Sequence, residues 1–135
     1  MKVLVDTPIW SYALCSHNKD YQSKIDTLTS LIQDQRAIII GPIRQEILSG
    51  DSDPHKYLTL REKLSYFKNT PILDGDYELA AEFSSKCRKK EVQGSHIDFL
   101  IFAVANRIDI PIFTNDQDFE HYQKIISIKL FEIES

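Results

Sequence analysis

Cysteine is nearly absent from this chain. Cys15 and Cys87 are its only two, and they have no CxxC spacing. That excludes a disulfide framework or a cysteine zinc site; both residues fall in helical patterns and read as buried free thiols, as expected of a reducing, cytoplasmic setting. The four histidines show no HxH or HxxxH spacing, which argues against a histidine-based metal site. No apolar run approaches the length of a membrane span, and Met1-Lys2 leads into a strand pattern rather than a signal peptide, so no membrane association is expected. Excess positive charge is missing too: 16 Lys and Arg face 20 Asp and Glu, a net charge of −4. A non-specific nucleic-acid binder is normally basic, because phosphate contacts dominate its affinity. Global charge therefore disfavours a nucleic-acid partner, but leaves open a phosphate met through a cation or through local basic groups. There are no internal repeats, low-complexity tracts or linkers, and 135 residues make one domain, residues 1–135, with 42% hydrophobic residues to build its core.

What the chain does have is a set of short apolar runs that end on acids. Ile110-Pro111-Ile112-Phe113 reads as a buried strand that stops at Thr114-Asn115-Asp116-Gln117-Asp118. Near the start, Lys2-Val3-Leu4-Val5 ends in the same way on Asp6-Thr7-Pro8. Ala37-Ile38-Ile39-Ile40 is a third run, closed by Gly41-Pro42, which opens a helix over Ile43 to Leu48 with Glu46 just past its first turn. Further strands are expected at Thr70-Pro71-Ile72-Leu73, an edge because Pro71 cannot donate to a ladder, and at the alternating Ile126 to Phe131.

Between the strands the spacing predicts helices: Pro8 to Leu14, fading around Ser16-His17-Asn18, and a second from about Asp20 with Tyr21, Ile25, Leu28 and Ile32 on one face. A loop over Ser49 to Pro54 precedes a helix through Tyr57, Leu60, Leu64 and Phe67, and a long helix runs from Tyr77 to about Val92 with Gly94 as its stop. Ser95-His96-Ile97-Asp98 has the form of a capping box before the almost wholly apolar helix Phe99 to Ala105, and Phe119 to Gln123 forms a short last helix. Connections this long and helical imply a mostly parallel α/β sheet sandwiched by helices, in which ligands bind at the carboxyl edge of the strands.

Asp6, Glu46, Asp98 and Asp116, with Asp118 as a fifth, come from separate segments that this architecture brings to one edge. Each has an ordinary reading: Asp6 starts a turn, Glu46 complements a helix dipole, Asp98 completes a capping box, and Asp116 or Asp118 caps a helix. Together they would repel one another and raise each other's pKa unless a cation neutralised them. An all-oxygen acidic cluster suits Mg2+ or Mn2+ rather than zinc, and such an ion activates water and stabilises charge on a phosphoryl oxygen.

Val3-Leu4-Val5-Asp6-Thr7, Arg44-Gln45-Glu46-Ile47-Leu48, Asp98-Phe99-Leu100-Ile101 with Ala103 and Ala105, and Thr114 to Phe119 resemble the four motifs of PIN-domain nucleases, and most of all the VapC toxins of type II toxin–antitoxin modules. The resemblance spans Lys2 to about Leu130. It implies a three-layer α/β/α fold with a five-stranded parallel sheet and a Mg2+-dependent endoribonuclease that accepts Mn2+. It also implies a homodimer, and an antitoxin that silences the enzyme. Asp6, Glu46, Asp98 and Asp116 carry over as the catalytic acids, with Asp6, Asp98 and Asp116 as metal ligands; Thr114 and Asp118 carry over as neighbours of the site. Pro8 stands where the family more often has Ser or Asn, and Phe102 where it has a small residue.

Lys86, Arg88, Lys89 and Lys90 read either as a solvated helix end or as a local patch for RNA phosphates. Trp10, Tyr12 and Tyr66 could stack on unpaired bases or serve packing. The helix around Trp10 and Tyr12, with the Ser49–Pro54 loop, is the expected wall of an antitoxin groove. A haloacid-dehalogenase-type phosphotransferase would need an Asp at Pro8, and a phosphoreceiver would need a second acid beside Asp6. The remaining alternative is a non-catalytic PIN-like module that binds RNA or protein.

Overall fold

The computed structural model describes residues 1–15, 19–50 and 52–133. Its centre is β1 (Val3–Val5), whose three side chains are all completely buried. Successive strand residues point to opposite faces, so β1 is covered on both sides. It pairs in parallel with β2 (Ala37–Ile38), Val3 opposite Ala37, and with β3 (Ile112–Phe113), Val5 opposite Phe113, giving the order β2-β1-β3.

Five strands were expected and the described residues form three. The outer two segments follow the sheet only at single parallel bridges, Ile39 with Asn69 and Ile112 with Leu130. At one edge Thr70 N–H reaches Ile39 C=O (2.8 Å), and Pro71 then offers no further donor. At the other edge Ile112 exchanges bonds with Lys129 and Phe131, at 2.9 and 2.8 Å. Asn106 Nδ2 donates to the Ser127 carbonyl at 2.8 Å, which diverts the start of that segment from the ladder.

The helices are α1 (Thr7–Cys15), α2 (Gln22–Gln33, entered through a 3-10 turn at Lys19–Tyr21), α3 (Gly41–Ser49), α4 (Pro54–Leu64), α5 (Asp74–Lys89), α6 (His96–Ile108) and α7 (Phe119–Gln123). The expected fading of α1 at residues 16–18, like Asp51 in the loop before α4, lies outside the described residues. In the first half of the fold α1 packs on α2 and α3, and α3 on α4; in the second, α5 and α6 pack along each other. Helix α6 is apolar nearly all round because it is enclosed, with Phe99 and Ile101 to Ala105 all buried.

Two local devices set the geometry. Arg44 on α3 donates to Asn69 Oδ1 (2.9 Å), Leu64 C=O (3.0 Å) and Phe67 C=O, bracing the turn between α4 and the sheet edge. Phe102 meets Phe99, Phe119 and Tyr122 at ring separations of 5.7, 5.0 and 5.0 Å, so its bulk fills an aromatic cluster under α7. The chain passes over this cluster at Gly94, where an added Cβ would lie 2.7 Å from Tyr122 Oη. Gly94 thus serves close approach and is not the stop of α5, which ends at Lys89 and is followed by the left-handed Glu91 (φ 62°). Cys87 is buried as expected, but Cys15 is exposed at the end of α1. No helix among the described residues is long and apolar enough to cross a membrane.

The start of α5 is locked to α6 by Asp76, 1% exposed, which accepts from Arg107 Nε at 2.7 Å and from Leu73 N–H at 2.8 Å. Arg107→Ala leaves that carboxylate buried with one donor. Since Arg107 is itself about a third exposed (32%), the expected loss is roughly 2–3 kcal/mol, below the full cost of breaking a buried pair. Urea denaturation checks this; a change under about 0.5 kcal/mol, the usual range for surface substitutions, would show that the pair is not a fixed element of the fold.

Candidate active site

The acids gather at the carboxyl edge of the sheet. Asp6 follows β1 directly, and its N–H bonds to Phe113 C=O at 2.9 Å, which ties the end of β1 to the end of β3. Its side chain is 6% exposed. Oδ1 accepts from Thr7 N–H (2.9 Å) and Oδ2 from Thr114 Oγ1 (2.8 Å). The Thr114 hydroxyl in turn accepts from Asp116 N–H (3.0 Å), and Asp116 Oδ1 accepts from Asp118 N–H (2.9 Å). The polar run after β3 is therefore a chain of local side-chain bonds that leads from Asp6 out to Asp118.

Asp98 reaches the same edge from α6. The capping box read from the sequence is present: Ser95 Oγ accepts from Asp98 N–H (3.1 Å), and Asp98 Oδ2 accepts from Ser95 N–H (3.4 Å). The cap and the site use one carboxylate, because the cap directs Asp98 back over the start of α6. Glu46, exposed in the second turn of α3, completes the group.

Electrostatics join the four. Burial is the main reason that the Asp6 pKa rises from 3.8 to about 6; the Thr114 and Thr7 bonds oppose it, and the charges of Asp98 and Glu46 add to it. Asp98 is raised as well, first by burial, with Asp116 and Glu46 pushing the same way against the Ser95 bonds. Every charge that shifts these two acids prominently is another carboxylate. Tyr122, buried under the site with Oη donating to Gln93 C=O at 2.9 Å, is pushed up to about 12 by burial and then by Asp98, Asp116 and Asp118. The sequence reading missed Tyr122; its one signal was the Phe119–Tyr122 spacing of α7, which indicated core and gave no hint of acids nearby.

The donor set is entirely oxygen and strongly anionic, which fits a hard divalent cation. The Thr7 hydroxyl, buried beside Asp6, has no hydrogen-bond partner among the described residues. Among those residues, however, no three His, Cys, Asp or Glu side chains stand close enough to hold an ion at once. Local bonds account for that spread: both Asp6 oxygens, Asp98 Oδ2 and Asp116 Oδ1 each accept a donor from their own segment. Each carboxylate oxygen keeps a second lone-pair direction.

The other candidates stand around this group or in the core. Lys86, Arg88, Lys89 and Lys90 are exposed at the far end of α5, with Lys86 paired to Glu82 at 3.4 Å. Asp118 is exposed and makes no side-chain cap for α7. Trp10 is fully buried, donating to Val5 C=O at 3.1 Å, so it is a core residue and cannot wall a groove. Tyr12 stacks on Tyr21 (3.7 Å) and takes a bond from Asn115 at 2.9 Å.

A parallel sheet with acids from β1, α3, α6 and the β3 loop at one edge defines an α/β domain with an acidic carboxyl edge. The chain belongs to the PIN domain family, whose model matches residues 3–125. No curated protein sequence matches it significantly. Its fold is similar to a chain of FitAcB from Neisseria gonorrhoeae (18% identity, 96% of each chain covered, TM-score 0.77). It is also similar to a chain of VapBC2 from Rickettsia felis bound to a promoter DNA fragment (18% identity, 99% of this chain and 100% of the other, TM-score 0.75). A third is VapBC-5 from Mycobacterium tuberculosis, of the VapBC family of toxin–antitoxin systems (16% identity, 98% and 100%, TM-score 0.68).

The raised acids make a signed prediction for the metal-free protein. Asp6 holds its proton more tightly folded than unfolded, so its contribution is complete below about pH 4 and is lost as pH rises towards 6. Asp6→Asn keeps an acceptor for Thr7 N–H and carries no charge. In EDTA it should match the wild type at pH 4 and exceed it at pH 8 by roughly 2–3 kcal/mol. Equal differences in urea midpoint at both pH values would show that Asp6 ionises without penalty.

Proposed function

We propose that this protein is a VapC-type toxin, a Mg2+-dependent endoribonuclease that hydrolyses RNA phosphodiester bonds. The observation that carries the reading is the convergence of acids from β1, α3, α6 and the loop after β3 on one sheet edge of a PIN domain, where Asp6 is buried and held by Thr7 and Thr114. Asp6, Asp98 and Asp116 are the ligands we assign to the ion, with Mn2+ as substitute; when bound it supplies activation of water and charge neutralisation at the phosphate. Asp6 is the fixed point, held by Thr7 and Thr114, and the Thr7 hydroxyl offers an unused hydrogen bond beside it. Glu46, exposed and with its charge acting on both Asp6 and Asp98, is assigned to take a proton from the attacking water. Asp118 is assigned to the acidic centre as an outer neighbour, and Lys86, Arg88, Lys89 and Lys90 at the end of α5 to the RNA backbone.

The partners follow from the same reading. An antitoxin that offers an arginine would pair its fork with these carboxylates in place of the ion. With Trp10 in the core, we assign its segment to the groove of about 220 Å3 lined by Leu14, Thr59 and Leu60 with Lys56 and Lys63. We assign the outer face of α5 to a second copy of the chain. That helix carries Asp74, Glu78 and Glu82 before Lys86, Arg88 and Lys89, so an antiparallel self-pairing centred near Glu82 matches opposite charges.

Asp6→Asn, Asp98→Asn and Asp116→Asn should each lower RNA cleavage by at least about 100-fold, since each removes a ligand charge and keeps the shape. Retained cleavage in any of them, with an unchanged circular dichroism spectrum, removes that residue from the site. If the wild type binds RNA but cleaves none with Mg2+ or Mn2+, the protein is a binding module.

Metal binding has its own readout. Mg2+ or Mn2+ should raise the melting temperature of the wild type, because the ion relieves repulsion among carboxylates that only the folded chain brings to one edge. The rise should shrink in Asp6→Asn. A saturating Mn2+ titration that leaves the melting temperature unchanged would exclude a divalent ion from this edge.

A further inference from the structure

The outer edge of β2 borders a groove of about 700 Å3 that the acidic site does not involve. Its floor is apolar, from Ile32, Ile38 and Phe67, and its rim carries Lys2, Lys63, Lys68 and Tyr66. In a chain of net charge −4, three lysines around one concavity run against the prevailing sign. Lys2 Nζ donates to Gln35 C=O at 2.7 Å, while the ammonium groups of Lys63 and Lys68 have no ion pair among the described residues.

Tyr66 is 82% exposed, the most exposed aromatic among the described residues. It does not sit on a loose loop. Arg44 clamps the carbonyls on either side of it, Leu64 and Phe67, and Phe67 N–H bonds back to Leu64 C=O at 3.0 Å. Phe67 is anchored edge-on against buried Trp10 at 5.0 Å. The turn is thus braced from both sides and holds one aromatic ring out to solvent between cations. A rigid exposed ring costs little entropy to engage, and every nucleobase offers it a face.

We infer that this groove is a binding site for single-stranded RNA, with Tyr66 as the stacking platform and Lys2, Lys63 and Lys68 as the phosphate contacts. The inference rests on the RNA reading above and extends it from the cleavage edge to a second, sequence-tolerant subsite. Lys2 precedes β1 and Asp6 follows it, so the groove lies towards the amino edge of the sheet and is a site separate from the acids. The groove gives an acidic enzyme a local cationic hold on its polyanionic substrate.

The test uses full-length Asp6→Asn protein, so that RNA is not consumed, and fluorescence anisotropy with a labelled single-stranded RNA of mixed sequence. Adding Tyr66→Ala should weaken binding about tenfold, and Tyr66→Phe should retain it, because stacking needs the ring and not the hydroxyl. Lys63→Gln with Lys68→Gln should weaken binding and flatten its salt dependence. RNA affinity unchanged in both the Tyr66→Ala and the double-lysine backgrounds overturns the assignment. So does binding of polyglutamate that Tyr66→Ala abolishes while RNA affinity stays the same, which gives the groove to an acidic protein segment. Wild-type protein that cleaves RNA while these variants bind normally loses only the groove; wild-type protein that neither cleaves nor binds RNA loses the nuclease reading itself.

Discussion

A carboxylate at the carboxyl end of the central strand has to be kept in the interior, and much of the rest of the structure follows from how that is done. Asp6 cannot move to solvent, because β1 is covered on both faces and the Asp6 backbone is bonded to β3. It is held by one hydroxyl and one backbone N–H, and it still pays a penalty for its charge. Thr114 is fixed in turn because it serves Asp6 on one side and Asp116 on the other. The loop after β3 is consequently ordered from its first residue, although it has no regular structure of its own.

The same constraint explains why the acids stand apart. Each answers to its own segment: Asp98 to the α6 cap, Asp116 to the turn before α7, and Glu46 to solvent at the second turn of α3. Local bonds of this kind are worth about 1 kcal/mol each, comparable to the repulsion among partly screened carboxylates, so neither wins outright. The result is a site whose members are aimed at one edge and influence one another, yet are not locked together. Tyr122 and Gly94 form the floor beneath it, where a ring and a bare backbone fit against each other with no room for a Cβ.

The opposite balance governs the β2 side. There the sheet ends early, since Pro71 removes the donor that a fuller edge strand would need, and Arg44 takes over the bracing of the turn. A truncated edge leaves a concavity, and lysines and a tyrosine border it. The two edges of the domain therefore differ in sign as well as in shape.

Much of this was legible in the residues themselves. Apolar runs ending on Asp6 and Thr114-Asn115-Asp116 announced strands with acids at their carboxyl ends, and Ser95 to Asp98 announced a capped helix, because strand burial and helix capping are local chemistry with short-range signatures. The motif order was enough to indicate the PIN family that the model match over residues 3–125 shows. Tertiary structure decided the remainder. Whether an outer segment becomes a strand depends on donors from its neighbour, which is why Thr70–Leu73 and Ile126–Phe131 shrank to single bridges. Trp10, Tyr12 and Tyr66 were indistinguishable as aromatics in the sequence. The fold buried the first, stacked the second on Tyr21 and held the third out to solvent, because exposure is set by what packs against a residue from distant parts of the chain.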